Sequence, residues 1–170
     1  VMESLEPLGG TLCVHCENGT LVNELQRRVY DEGIHGPEGH PLSRPAECEA
    51  EAISRLLYLA HLAGDARVNV VHLSTKMGLD AIRAAKARGQ RNIFVETCPQ
   101  YLLLDDTCFL EQGEDGLAGL AYVMSPPPRK PADRAALREA LLAGEIDTIA
   151  TDHCSFNIHG QKDRGAEDFR

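Results

Sequence analysis

The stretch VNVVHLSTKMGLDAIRAAKARG, Val68 to Gly89, decides the fold class. Its first five residues form a short apolar run rich in valine, which reads as a β-strand. The polar segment LSTKMG follows, and after it LDAIRAAKARG, in which Leu79 and Ile82 face inward on a helix that Gly89 stops. One strand running through a polar turn into a helix says little alone. Its weight comes from repetition.

TLCVH (11–15), NIFVE (92–96) and IDTIAT (146–151) are three further strand-like runs, and helical patterns separate them. Leu21, Leu25 and Val29 recur every four residues and end at Gly33. A longer helix is predicted after Pro45, with Ala52, Ile53, Leu56, Leu59, Ala60 and Ala63 as its apolar stripe before Gly64. The last helix has Pro131 in its first turn, carries Ala136, Leu137, Ala140 and Leu141, and closes at Gly144. Strands alternating with helices imply an α/β fold with a parallel sheet, because parallel neighbours need a crossover of about a dozen residues or more. Near-continuous apolar strands predict burial on both sheet faces. GIHGPEGHPLSRP (33–45) and LDDTCFLEQGEDG (104–116) read as solvated loops, and the three prolines of MSPPPRK (124–130) rule out helix there.

The chain has 170 residues, enough for one domain with a real core, and its 43% apolar and 25% charged content is that of a globular protein. With 17 Lys and Arg against 26 Asp and Glu, the formal charge of −9 would repel a phosphate backbone, so nucleic acid is not a predicted partner. No apolar run approaches the roughly 20 residues needed to cross a bilayer, which predicts no membrane association. The start, VMESLEPLGG, has neither a basic segment nor an apolar core of a secretion signal; the expectation is a cytoplasmic protein whose sequence begins partway along. Six cysteines are then predicted to be reduced thiols. Cys13 and Cys16 have C-x-x-C spacing, but on a strand an offset of three puts the sulfurs on opposite faces, and no second such pair completes a zinc ribbon.

The last residues of the four runs are His15, His72 and Glu96, with Asp152 just after the fourth. In α/β folds ligands sit outside the carboxyl ends of parallel strands, and in a (β/α) barrel those ends meet at one mouth. Two imidazoles and a carboxylate gathered there suit Zn²⁺. The run Ile146 to Ala150 reads as a buried strand, so an ionised Asp152 beyond it needs a cation, donors or water. Structural readings remain open at each position: a histidine at a strand end often serves only as a hydrogen-bonded residue, and an aspartate beyond a strand often caps the next helix.

Six blocks narrow the choice: VHCENG (14–19), GPEGHPLSRPAECEAEA (36–52), VVHLSTKMGLDAI (70–82), ETCPQYLLLDD (96–106), YVMSPPPR (122–129) and ATDHCSFN (150–157). Together they resemble the dihydropyrimidinase and D-hydantoinase family of cyclic amidohydrolases. The resemblance runs over nearly the whole chain and implies residues 1–170 to be part of one (β/α)8 TIM barrel, roughly strands five to eight with their helices, with no second domain. It implies His15 and His72 as metal ligands, Asp152 as both ligand and proton carrier, and Ser125 as the loop serine whose backbone contacts the substrate ring. His153 and Cys154 match by position and receive no chemical role. Two Zn²⁺ ions per site, a tetrameric assembly and a small cyclic amide or imide substrate come with the family, as does hydrolysis of the ring amide by a hydroxide held between the metals. The first-strand histidine pair, the bridging carboxylated lysine and a substrate-contacting tyrosine lie upstream of Val1 in the family, and an asparagine lies downstream of Arg170. The chain is therefore expected to be inactive alone, and its open edges to favour association.

Two alternatives accompany this reading. Some relatives keep the barrel and have lost metal ligands, serving as non-catalytic interaction proteins, whereas VVHLS and ATDHC keep imidazole and carboxylate. Allantoinase and dihydroorotase are other cyclic amidohydrolases, but the GPEGHPLSRP and SPPPR loops look more like the dihydropyrimidinase branch.

Overall fold

The computed structural model describes residues 1–114 and 116–170. A short helix α1 (Met2–Leu5) leads into strand β1 (Leu12–Val14), helix α2 (Gly19–Asp31), the single turn α3 (Gly39–Leu42) and the long helix α4 (Ala46–Leu62). Then come β2 (Val68–Val70), α5 (Lys76–Ala87), β3 (Ile93–Thr97), the short α6 (Pro99–Leu103), α7 (Pro131–Leu142) and β4 (Thr148–Ile149). The strands lie in chain order and every pair is parallel, with Leu12 opposite Val68, Val68 opposite Ile93 and Glu96 opposite Thr148. Strand order that follows chain order, with a crossover after each strand, is that of a (β/α) barrel sector. No helix among the described residues is long and apolar enough to cross a membrane.

Strand alternation separates two faces. Val68, Val70, Ile93 and Val95 are buried against the helices, where Ile53 and Leu57 of α4, Leu79 and Ile82 of α5, and Leu137 and Ala140 of α7 complete the core. On the other side Cys13, Asn69, Phe94, Glu96 and Thr148 form the partly or fully exposed face. The expected burial of both faces is thus corrected: this stretch of chain supplies only the outer layer, and the alternation emerges as in any half-covered sheet.

The helices begin and end where local chemistry dictates. Asn18 caps α2 by accepting from the Leu21 N–H at 3.1 Å, and Thr75 caps α5 by accepting from the Gly78 N–H at 2.9 Å. Gly89 and Gly144 adopt the predicted left-handed φ, +104° and +74°, past the ends of α5 and α7. Three boundaries differ from the sequence reading. The 33–45 segment contains α3 with His40 buried, and 104–116 contains a 3-10 turn at Asp106–Leu110 that buries Cys108 and Phe109; residue 115 lies outside the described residues. The fourth strand shrinks to two exposed residues at the sheet edge, where among the described residues it pairs with β3 alone; only Ile146 of that run is buried. All six cysteines are free thiols, with Cys13 exposed on β1 and Cys16, two residues beyond the strand, buried.

Candidate active site

His15 lies one residue beyond β1 and His72 two residues beyond β2. His72 adopts a left-handed φ of 43°, uncommon outside glycine, so it belongs to a turn and does not end the strand as predicted. That turn is tied down on both sides. Leu73 N–H donates to the Glu96 carbonyl at 2.8 Å, and the Thr97 hydroxyl donates to the Leu73 carbonyl at 2.7 Å. Neighbouring parallel strands, ending at similar heights, then bring the two imidazoles together. His15 Nδ1 and His72 Nε2 are 2.9 Å apart with the rings edge-on, so one nitrogen carries the proton that the other accepts. Burial, and next the proximity of His15, lower the His72 pKa, opposed by Asp152 and Glu49, so its imidazole is neutral near pH 7.

The turn after His72 rests on a carboxylate absent from the predicted site. Glu49 on α4 is 1% exposed, and its two oxygens accept from the N–H and hydroxyl groups of both Ser74 and Thr75, three of these bonds spanning 2.7 to 2.9 Å. Arg129 donates from Nε to Ser74 Oγ at 2.9 Å and from Nη1 to the Arg44 carbonyl. Arg44 pairs with Glu17 at 2.6 Å, and the same Glu17 oxygen lies 3.2 Å from His15 Nε2. The Glu17 side chain is only 2% exposed; burial raises its pKa, but His15, Arg44 and Arg129 together bring it below the ordinary carboxylate value. A chain of buried charges thus runs from behind His15 to behind His72. A signal for it existed: Glu49 stands four residues before Ile53, on the apolar stripe of α4, where an unpartnered carboxylate would be costly.

Asp152 follows β4 with a left-handed φ of 47°, and with Ser125 it lines a cavity of about 810 Å³. Tyr101, Met124, Phe156 and Lys162 line it too, as do the exposed His153 and Cys154. The structure therefore brings the predicted residues together in two pairs: His15 with His72, and Ser125 with Asp152. Among the described residues no three His, Cys, Asp or Glu side chains are arranged to hold a metal ion. The imidazole pair nevertheless fits zinc in donor type and spacing, since two nitrogens at Zn–N distances of about 2.0 Å in tetrahedral geometry stand about 3.3 Å apart.

No family model matches the chain. The chain is 40% identical over 168 residues to a D-phenylhydantoinase of Escherichia coli O81 (strain ED1a), a match spanning 99% of the chain and 35% of that relative. Among solved structures it resembles the D-hydantoinase (dihydropyrimidinase) from Thermus sp., with 42% identity and a TM-score of 0.91, covering 99% of the chain and 35% of that structure. The dihydropyrimidinase from Brevibacillus agri NCHU1002 aligns at 39% identity with a TM-score of 0.92, with the same two coverages. The chain spans about a third of the length of these relatives.

Proposed function

Because the chain belongs to the D-hydantoinase and dihydropyrimidinase family, as a stretch about a third as long as its relatives, we propose that it supplies part of the active site of a cyclic amidohydrolase. The substrate class is a dihydropyrimidine or a 5-substituted hydantoin, and the reaction is hydrolysis of the ring amide. The observation that carries the reading is the convergence of His15 Nδ1 and His72 Nε2 at 2.9 Å from adjacent strand ends. Those two nitrogens would hold a divalent cation, for which zinc suits the donors, and Asp152, which lines the neighbouring cavity, would have to turn toward them to join as a third ligand. When bound, such an ion supplies Lewis acidity and a nucleophile at neutral pH.

The chain's own residues do the rest. Asp152 stands at the cavity wall, where its carboxylate takes a proton from the attacking water and passes it to the leaving ring nitrogen as the C–N bond breaks; without that proton the nitrogen would leave as a strongly basic anion. Ser125, on the same wall, orients the ring through its backbone. Glu17 pairs with the His15 imidazole, and Glu49 ties down the turn that carries His72. A buried neutral His72 keeps a lone pair for a ligand.

Calorimetric titration of the purified chain with zinc tests the ligand pair. The expected result is one site that disappears in both His15→Ala and His72→Ala; equal binding by the variants overturns the assignment. Incubation of the same chain with dihydrouracil and hydantoin is expected to give no ring opening, since two imidazoles and one carboxylate are a partial ligand set. Turnover above the buffer rate would show that set to be sufficient.

A further inference from the structure

The loop bearing Ser125 is held in a way that the functional reading leaves unexplained. Three carbonyls around Ser125 each accept a hydrogen bond from a side chain of a different element. Lys162 donates to Val123 at 3.0 Å and also to Ala121 at 2.8 Å, His40 Nε2 to Met124 at 2.8 Å, and the buried Tyr101 hydroxyl to Pro126 at 2.8 Å. Ser125 itself, exposed in the cavity wall, has neither its N–H nor its C=O engaged in a hydrogen bond.

The geometry points to His40, Tyr101 and Lys162 as positioning residues that hold this loop so that the unpaired Ser125 N–H and C=O face a ring carrying an adjacent carbonyl and N–H. The inference rests on the proposed cyclic-amide substrate and extends it to how the ring is read. The physical reason is peptide planarity. The Met124 carbonyl and the Ser125 N–H belong to one trans peptide unit and point in opposite directions, so a donor fixed on the carbonyl aims the N–H. His40 lies behind the wall, outside the cavity lining, which leaves the N–H directed to the cavity side. Tyr101 and Lys162 then restrain the peptide units on either side, which removes the ordering cost that a mobile loop would impose on binding. Burial lowers the His40 pKa to about 4, so at neutral pH the ring is uncharged and serves as a single fixed donor. Burial raises the Tyr101 pKa, which keeps its hydroxyl protonated.

The test follows the Ser125 amide in ¹⁵N-labelled chain titrated with dihydrouracil in the presence of zinc. Wild type is expected to show a saturable shift at Ser125. His40→Ala and Tyr101→Phe are each expected to weaken binding about tenfold, the worth of roughly one hydrogen bond, and His40→Gln, whose amide can still donate to Met124, to recover most of the loss. Tyr101→Phe removes only a hydroxyl, so it keeps the test open if His40→Ala fails to fold. Dihydrouracil affinities equal to wild type in Tyr101→Phe and His40→Ala overturn the inference. So does a wild-type Ser125 amide that does not respond to the ring. Zinc affinity, measured on the same samples and abolished by His72→Ala, separately decides the metal-site reading.

Discussion

Four hydrogen bonds converge on the Glu49 carboxylate, and its burial makes that side chain an exacting position. Glutamine has the same shape, but one of its terminal groups is a donor and would face the Ser74 or Thr75 donors. Glu49→Gln is therefore expected to cost about 2–4 kcal/mol, read as a lower urea midpoint. The same substitution loosens the His72 turn, so zinc affinity falls with it. His40 gives a pH signature. Its pKa falls from 6.5 to about 4 on folding, chiefly through burial, with Arg44 and Arg129 adding to the effect and Glu17 and the Met124 carbonyl opposing it. Between those values the unfolded chain binds more protons, so stability declines as pH drops from 6.5 towards 4 and this contribution levels off below. The loss amounts to roughly 3 kcal/mol across that window. Urea denaturation of wild type and His40→Gln at pH 7 and pH 4.5 checks it: the pH dependence should be shallower in the variant. Neither role is legible in the sequence. His40 lies in a stretch whose composition predicts a solvated loop, and only the fold puts Met124 beside it.

Helix α4 separates what periodicity reveals from what packing decides. Its span after Pro45 is legible from the spacing of Ile53, Leu56 and Ala60, all buried. Its exact face is not. Leu57 is fully buried and Leu59 is 51% exposed, the reverse of the predicted stripe, because the leucines at 56, 57 and 59 allow more than one inward face. The choice falls to α5, where Gly78 leaves no room for a Cβ against Ile53 and Glu49. Leu57→Ala is expected to cost about 2–5 kcal/mol by cavity formation, while Leu59→Ala stays within about 0.5–1 kcal/mol. Thermal melts of the two variants distinguish the faces directly. At the other extreme, β4 keeps only two residues of its β-rich run, pairing with β3 alone.

At the scale of the whole molecule, the sheet has two free edges, β1 and β4, and one face without a helical layer. Exposed Phe156 and Ile149 lie at the β4 end. Such edges are templates for pairing, so light scattering behind size-exclusion chromatography is expected to show mass rising with concentration; a constant monomer mass up to millimolar concentration would contradict this. The order of strands and helices, the parallel sheet, the helix stops at glycine and the residues at the strand ends were determined by sequence, because periodicity and turn chemistry act over a few neighbours. Tertiary structure alone decided which face of α4 turns inward, that His15 and His72 meet at 2.9 Å while Asp152 joins Ser125 in a separate cavity, and that Glu17, Arg44, Arg129 and Glu49 form one buried network. Each of these depends on contacts between residues tens of positions apart, whose distances no local pattern encodes.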